Sequence, residues 1–430
     1  MKKRIRFIAL ILSALTMVTL ACGSSADQMQ NGNWSRIYAK ELTEEVGISK
    51  NLDYGKISLQ PLRQFSYELL ENHLEECNPV FSPLSAYVTL CMIANGAVGE
   101  TKEELMQVLG EDVMCLPDHI MNSLPQNKKE FQLTIANSVW MNDLFIAEKD
   151  WLGTVKSLFK ASVYQADMDA DTTKNDINFW VRENTNQMVP ELLDEKLDRD
   201  VQMALLNALY LKAEWKNKFK ESLTSTDVFH LDDGSEKEVL MMNQLYYDCE
   251  YLEDDSSIGV VLPYADSQYA FIAIKPKEGR TIREWYGSYS AEKLHSLIQK
   301  REKKNLNLRL AKFTAKCKSN LNNSLVKMGI IRMFDMNQAD FSKIGKSKEG
   351  NNLYLSKILQ EAVLTVTEDG TEASAATIAE MCDGGGMIDA ELVDFDSPFF
   401  YMIMDMNKEM PIFVGIFDEP EDIEEMEEPK

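Results

Sequence analysis

Alternation of small and polar positions marks the most informative stretch of the chain, near its C-terminal end. Residues 362–367 follow an apolar, β-branched strand pattern, and residues 381–388 contain three consecutive glycines, which do not favour regular structure. Between these segments a small residue recurs at every second position: Thr371, Ala373, Ala375, Thr377 and Ala379. A period of two predicts a strand with one face small enough to enter a packed sheet. No large apolar residue anchors that face, so the pattern also fits an exposed loop.

The order of residue types in this stretch resembles a known hinge. An acidic residue, a glycine, a threonine, a run of small residues and a second threonine follow one another, as in the reactive-centre loop of serpins, a family of serine protease inhibitors. In that family a protease cleaves the exposed loop, which then inserts into the main sheet and carries the acylated protease with it. The resemblance implies a hinge made of Glu368, Gly370, Thr371, Glu372, Ala373, Ser374, Ala375, Ala376 and Thr377. We expect Thr371 to lie near the surface before cleavage.

Further similarities to serpins occur in the family's order from about residue 57 to about residue 420. Residues 78–85 resemble the signature that opens a helix under the main sheet, and residues 205–219 resemble the strand and turn where the loop enters. The resemblance implies sheet-opening roles for Ser82, Ser85, Asn207, Trp215 and Gln360. Glutamine at position 360 departs from the family, in which histidine is usual, but its amide can also donate and accept hydrogen bonds.

The resemblance also implies an overall architecture. We expect an α+β serpin fold with a large mixed central β-sheet, two further sheets, about nine helices and an exposed reactive-centre loop at about 368–394. The serpin domain would cover residues 57–420, and the acidic residues 421–430 would form a tail.

The N-terminal segment predicts export from the cytoplasm. A basic start precedes an apolar run at 7–20 that is too short to span a membrane comfortably, so residues 1–21 are interpreted as a signal peptide. Cys22, followed by glycine and two serines, resembles a bacterial lipoprotein attachment site, although Thr19 stands where leucine is usual. We expect lipid on Cys22, a tether at 22–56 and an extracytoplasmic, membrane-anchored protein. Ordinary cleavage and secretion is the alternative.

Composition narrows the classes of function. The net charge of −24 argues against nucleic-acid binding. The four histidines lie far apart without metal-ligand spacing, and the usual hydrolase and nucleotide-binding motifs are absent from the sequence. We therefore expect no enzymatic activity, cofactor or metal. We expect a monomer whose partner is a target protease, of the serine or cysteine class.

Two counts place the reactive bond differently. The family spacing from the hinge glutamate gives Gly384–Gly385, and the spacing from a downstream proline gives Met387–Ile388. The first count is favoured because the inserted strand must span the sheet. No basic residue occurs at 371–399, so elastase-, chymotrypsin- or subtilisin-like proteases are expected targets rather than trypsin-like ones.

Two other functions fit part of the sequence. A non-inhibitory serpin would act as a surface binding module, and the hinge residues argue against it because all of them favour insertion. An unrelated solute-binding lipoprotein would account for the signal segment and the acidic charge. It would leave the hinge and the closing strands at 395–403 and 410–415 unexplained.

Overall fold

The computed structural model describes residues 36–43, 57–125, 127–350, 352–356, 358–371 and 390–421. The lipidation candidate Cys22 and both candidate reactive bonds lie outside these residues. No helix in the described ranges is long and apolar enough to cross a membrane.

The described ranges contain nine α-helices and two 3₁₀ helices, the latter at Glu221–Leu223 and Arg332–Phe334. The α-helices are α1 Gln60–Glu71, α2 Pro83–Ala94, α3 Gly99–Leu109, α4 Cys115–Asn122, α5 Lys149–Leu158, α6 Asp171–Asn184, α7 Ile282–Gly287, α8 Ala291–Gln299 and α9 Asn322–Lys327.

Eighteen strands occur in the same ranges. The first nine are β1 Lys40–Glu41, β2 Val80–Phe81, β3 Phe131–Asn142, β4 Phe145–Ala147, β5 Ser162–Ala166, β6 Met203–Glu214, β7 Ser225–His230, β8 Glu236–Glu253 and β9 Ser257–Pro263. The others are β10 Tyr269–Pro276, β11 Glu302–Ala311, β12 Phe313–Asn320, β13 Gly345–Ser347, β14 Leu359–Val366, β15 Gly370–Thr371, β16 Glu391–Phe395, β17 Phe399–Asp405 and β18 Met410–Phe417.

These strands form three sheets, which confirms the predicted α+β class. A seven-stranded mixed sheet has the order β1-β5-β3-β6-β15-β14-β12. A nine-stranded sheet has the order β16-β11-β8-β9-β10-β17-β18-β2, with β7 paired to β8, and a two-stranded sheet joins β13 to β4. In the larger sheet, β17 and β18 are buried along their whole length, as their continuous apolar runs require.

Helices cover both faces of the seven-stranded sheet. Helix α2 is buried at every position, so it lies in the core rather than on the surface. On the other face, Ile177, Trp180 and Val181 of α6 pack into a second apolar cluster with Trp140 of β3. Both helices therefore contact the strands that carry the candidate site.

Residues 36–43 add an edge strand to the seven-stranded sheet. Lys40 and Glu41 pair antiparallel with β5. The backbone N–H groups of Tyr38 and Ala39 donate to the carboxylate of Asp176 on α6, at 3.0 and 2.7 Å, and Asp176 is itself buried. Part of the segment predicted as a tether thus packs against both the sheet and α6.

Candidate functional site

The hinge begins where strand β14 ends. A tight turn at 367–370 is closed by the Thr367 N–H, which donates to the Gly370 carbonyl at 2.9 Å. The chain then runs back as β15, in which Thr371 pairs with Val366 of β14 and with Ala213 of β6. Both pairings are antiparallel. Within the described ranges, this two-residue strand alone joins β6 to β14.

Gly370 occupies a position that no other residue type fits. Its φ of +152° is rarely adopted by residues with a side chain. A Cβ added there would lie 2.0 Å from the Ala213 carbonyl oxygen. The glycine therefore permits the close approach to β6 that starts β15.

Thr371 is buried, contrary to the expectation that it lies near the surface. It is 1% exposed, and its hydroxyl lies 2.5 Å from the Tyr264 hydroxyl. The reason is tertiary. Strands β6 and β14 are separated at this end, so β15 fits between them, and Tyr264 provides a polar contact for the Thr371 hydroxyl. The first small side chain of the hinge has therefore entered the sheet.

Trp215 holds the turn from the end of β6. Its backbone N–H donates to the Asp369 carbonyl and its indole N–H to the Thr367 carbonyl, both at 2.8 Å. The indole stacks on Tyr264, with ring centroids 4.8 Å apart and planes 5° apart. The tryptophan thus links the turn to the residue that contacts Thr371.

Glu368 links the hinge to two distant segments of the chain. Its carboxylate accepts a hydrogen bond from Thr224 at 2.9 Å and pairs with Lys312 at 3.1 Å. Burial by itself would raise the pKa of Glu368. Hydrogen bonds from its own N–H and from Thr224, together with the Lys312 charge, outweigh burial and lower it. The carboxylate is therefore ionised at neutral pH and fixes the start of the turn.

Sequence reasoning missed several of these partners. Tyr264, Thr224 and Lys312 contact the hinge, and Lys218 pairs with Asp369 at 2.9 Å. They come from distant parts of the chain and follow no motif, so only the tertiary structure reveals them.

A second cluster of polar residues connects both β14 and β6 to the start of α2. Ser82 is the N-cap of α2, and Gln360 of β14 donates to its carbonyl at 2.8 Å and accepts from its N–H at 3.2 Å. The Ser85 hydroxyl donates to Asn207 of β6, which in turn donates to Asn137 of β3 at 2.6 Å. One helix end therefore bonds to β14 through one serine and to β6 through another.

Two cavities lie between β6 and β14. A cavity of 60 Å³ is lined by Ser85, Asn207 and Gln360 among others, and one of 670 Å³ is lined by the first residues of β6 and by the chain leading into β14. The side chains at 203–207 are only partly buried although β6 is a central strand. The geometry therefore leaves a gap between β6 and β14 beyond β15, and the walls of this gap are partly apolar.

A family model described as Serpin (serine protease inhibitor) matches residues 60–420. The chain belongs to the serpin family. Among relatives, the "Leukocyte elastase inhibitor" of Xenopus laevis is 29% identical over 358 residues, covering 80% of this chain and 93% of its own.

Solved serpin structures share the fold. The thermophilic serpin tengpin in its native state aligns with a TM-score of 0.81 at 32% identity, covering 89% of this chain and 99% of its own. Thyroxine-binding globulin in complex with thyroxine aligns with a TM-score of 0.74 at 26% identity, covering 84% of this chain and 99% of its own. These matches confirm the predicted serpin fold.

The structure brings the described candidate residues into two groups. Glu368, Gly370, Thr371 and Trp215 meet at the hinge, and Ser82, Ser85, Asn207 and Gln360 meet below the gap. The remaining hinge residues, at 372–377, lie outside the described ranges.

Proposed function

We propose that this serpin inhibits proteases as a suicide substrate. The target cleaves the loop after β15, the loop inserts between β6 and β14, and the acyl-enzyme is trapped before water releases it. The single observation that carries the proposal is β15 itself, since Gly370 and Thr371 already pair with both strands at one end of the gap.

The register of β15 predicts how insertion would continue. Thr371 lies opposite Ala213, and the antiparallel pairing with β6 advances one residue on each strand. Residue 373 would then face Leu211, and residue 377 would face Asn207. The same count along β14 from Val366 brings residue 377 opposite Gln360. Thr377 would therefore reach the polar cluster below the gap, where a hydroxyl can find partners.

Side-chain size supports insertion on this register. Alternate residues of a strand share a face, so positions 373, 375, 377 and 379 would point to the same side as buried Thr371. All four are alanine or threonine, which limits the cost of fitting a new strand against α2. The other face carries Glu372, Ser374, Ala376, Ile378 and Glu380, most of which tolerate contact with water.

The free energy that would drive insertion comes from apolar side chains that line the gap. Met203, Leu205 and Leu209 of β6 are only partly buried, and a new strand would cover them. Full burial of such a side chain contributes roughly 1.5–3 kcal/mol, and each ladder hydrogen bond adds about 0.5–1.5 kcal/mol. The inserted form should therefore be considerably more stable than the uncleaved form.

The proposed targets are elastase-, chymotrypsin- or subtilisin-like serine proteases, with cysteine proteases as a further class. The absence of basic residues at 371–399 supports this choice, and the similarity to a leukocyte elastase inhibitor agrees with it.

We also propose that lipid on Cys22 anchors the monomer outside the cytoplasm. A ligand-carrying role has one point in its favour, because thyroxine-binding globulin shares the fold.

The test is incubation with elastase, chymotrypsin, subtilisin and papain. Inhibition by this mechanism yields a complex that survives SDS, together with a cleaved protein whose melting temperature is higher than that of the intact protein. Cleavage of the loop by every one of these proteases without complex or added heat stability would contradict the proposal.

A further inference from the structure

An apolar patch lies on the outer face of the nine-stranded sheet, beside the point where the chain returns from the loop. Asn307 of β11 is aligned with Leu245 of β8 on one side and with Leu392 of β16 on the other. Leu245 is 37% exposed and Leu392 is 58% exposed. Tyr247, two residues along β8, is 59% exposed. We call Leu245, Tyr247 and Leu392 the docking patch.

A β-bulge presents Tyr247. The register between β8 and β11 shifts at this point, so that Tyr247 and Asp248 together oppose Asn305. Asp248 has a φ of +51°, unusual for a non-glycine residue, and its N–H donates to the Asn305 side chain at 3.3 Å. The bulge keeps Tyr246 buried while Tyr247 points outwards. Bulges re-aim side chains in this way at functional sites.

Arg309 of β11, beside the docking patch, already has partners within the protein, since it pairs with Asp394 and with Asp227. The docking patch itself is apolar. A row of exposed aromatic and aliphatic side chains in a protein with a net charge of −24 indicates a contact surface.

The position of the docking patch identifies its occupant. Ala390 is the first described residue after the loop, and Leu392 follows two residues later in β16. Ile388 and Gly385, the residues that follow the two candidate bonds, are two and five positions before Ala390. An extended chain covers at most about 3.3–3.6 Å per residue, so both candidate bonds lie within about 18 Å of Ala390. Leu245 is two strands from Leu392, or about 10 Å.

We propose that the docking patch binds the target protease beside its active-site cleft and speeds formation of the initial complex. The proposal rests on the proposed inhibitory function. The partner it fits is a protease that presents an apolar or aromatic side chain next to the cleft. Because Tyr247 and Leu392 lie outside the hinge and outside the gap, the docking patch should affect encounter and leave loop insertion unchanged.

The test compares the double variant Tyr247→Ser/Leu392→Ser with wild type, using elastase, chymotrypsin and subtilisin. With a protease that wild type traps, the second-order rate constant of complex formation should fall about tenfold, as for loss of an aromatic hot spot. The number of inhibitor molecules consumed per trapped protease should not change. The matched control is Val326→Ser/Ile331→Ser, which removes apolar side chains that are 41% and 53% exposed outside this sheet, and it should keep the wild-type rate.

A second measurement separates the two proposals. Binding of each protease with its catalytic serine replaced by alanine reports encounter alone, and the double variant should bind about tenfold more weakly than wild type. Equal binding and equal rates for double variant and wild type would overturn the docking patch while leaving the inhibitory function standing. Loop cleavage without trapping by wild type would overturn the inhibitory function, and weakened encounter would still support the docking patch. Loss of self-association in the double variant, with unchanged rates, would instead assign the docking patch to a second copy of the chain.

Discussion

A charged side chain at position 371 should abolish the proposed inhibition and leave this serpin a substrate of its target protease. Thr371 is 1% exposed and bonded to Tyr264, so Thr371→Arg cannot keep β15 in place without burying an unpaired charge. The uncleaved variant should expel the two residues of β15 from the sheet. Expulsion loses the pairs with β6 and the hydroxyl contact, at about 0.5–1.5 kcal/mol for each hydrogen bond. We therefore expect only a modest fall in the melting temperature of the uncleaved variant.

The larger effect should appear after cleavage. Insertion must carry the guanidinium into the sheet, and an unpaired buried charge costs several kcal/mol. If about 4 kcal/mol of this cost is added to the activation barrier, insertion slows roughly a thousandfold. Hydrolysis of the acyl-enzyme would then precede trapping. The assay counts the inhibitor molecules cleaved per protease molecule trapped, on a denaturing gel, with a protease that wild type traps. The cleaved variant should also lack the rise in melting temperature.

Two control variants separate charge from other effects. Thr371→Val keeps the shape of the side chain but removes the hydroxyl that contacts the buried Tyr264 hydroxyl. This loss should lower the free energy of unfolding by roughly 1–3 kcal/mol. The variant should still trap protease. Glu372→Arg, on the opposite face of the predicted strand, should be far milder than Thr371→Arg. Trapping by Thr371→Arg at the wild-type ratio would refute insertion through this hinge.

Three further predictions concern the anchor, the reactive bond and acid stability. Cys22→Ser should release the protein from membranes or leave an unprocessed precursor, and unchanged fractionation with a mature N-terminus elsewhere would contradict lipidation. Arginine at Gly384, and separately at Met387, should confer trapping of trypsin only at the true reactive position, and trapping by neither would show that both counts are wrong. Because the pKa of Glu368 is lowered, its stabilising contribution is full above the ordinary value of 4.5 and is lost as the pH falls through the lowered value. The melting temperature should therefore decline over that range more steeply in wild type than in Glu368→Gln, and equal slopes would argue against the Lys312 ion pair.

The strands around the hinge could be predicted from the sequence because their patterns are local. The β-branched and apolar residues at 362–366 lie in β14, and the predicted closing strands correspond to β17 and β18. The serine at the start of α2 is an N-cap, as its residue type favours. Such features depend on neighbours a few residues apart, so a single sequence contains them.

The burial of Thr371 could not be predicted in the same way. A small residue in an alternating run fits either an exposed loop or a strand, and the choice here depends on Tyr264, which is 107 positions away. The bulge that exposes Tyr247 likewise depends on pairing with β11, some 60 residues later. Contacts of this kind are fixed by how strands meet, and the types of the residues give no local indication of them.

The edge strand at 36–43 has a mechanical consequence. If the protein is anchored through Cys22, a pull between membrane and domain enters the fold at β1. The force would act first on the hydrogen bonds that the Tyr38 and Ala39 N–H groups donate to Asp176. It would also act on the pairing of Lys40 and Glu41 with β5. Asp176 belongs to α6, and Val181 of the same helix lines the cavity between β6 and β14. Tension on such an anchor would therefore reach α6, so shear at the cell surface would act on the helix that borders the path proposed for the inserting strand.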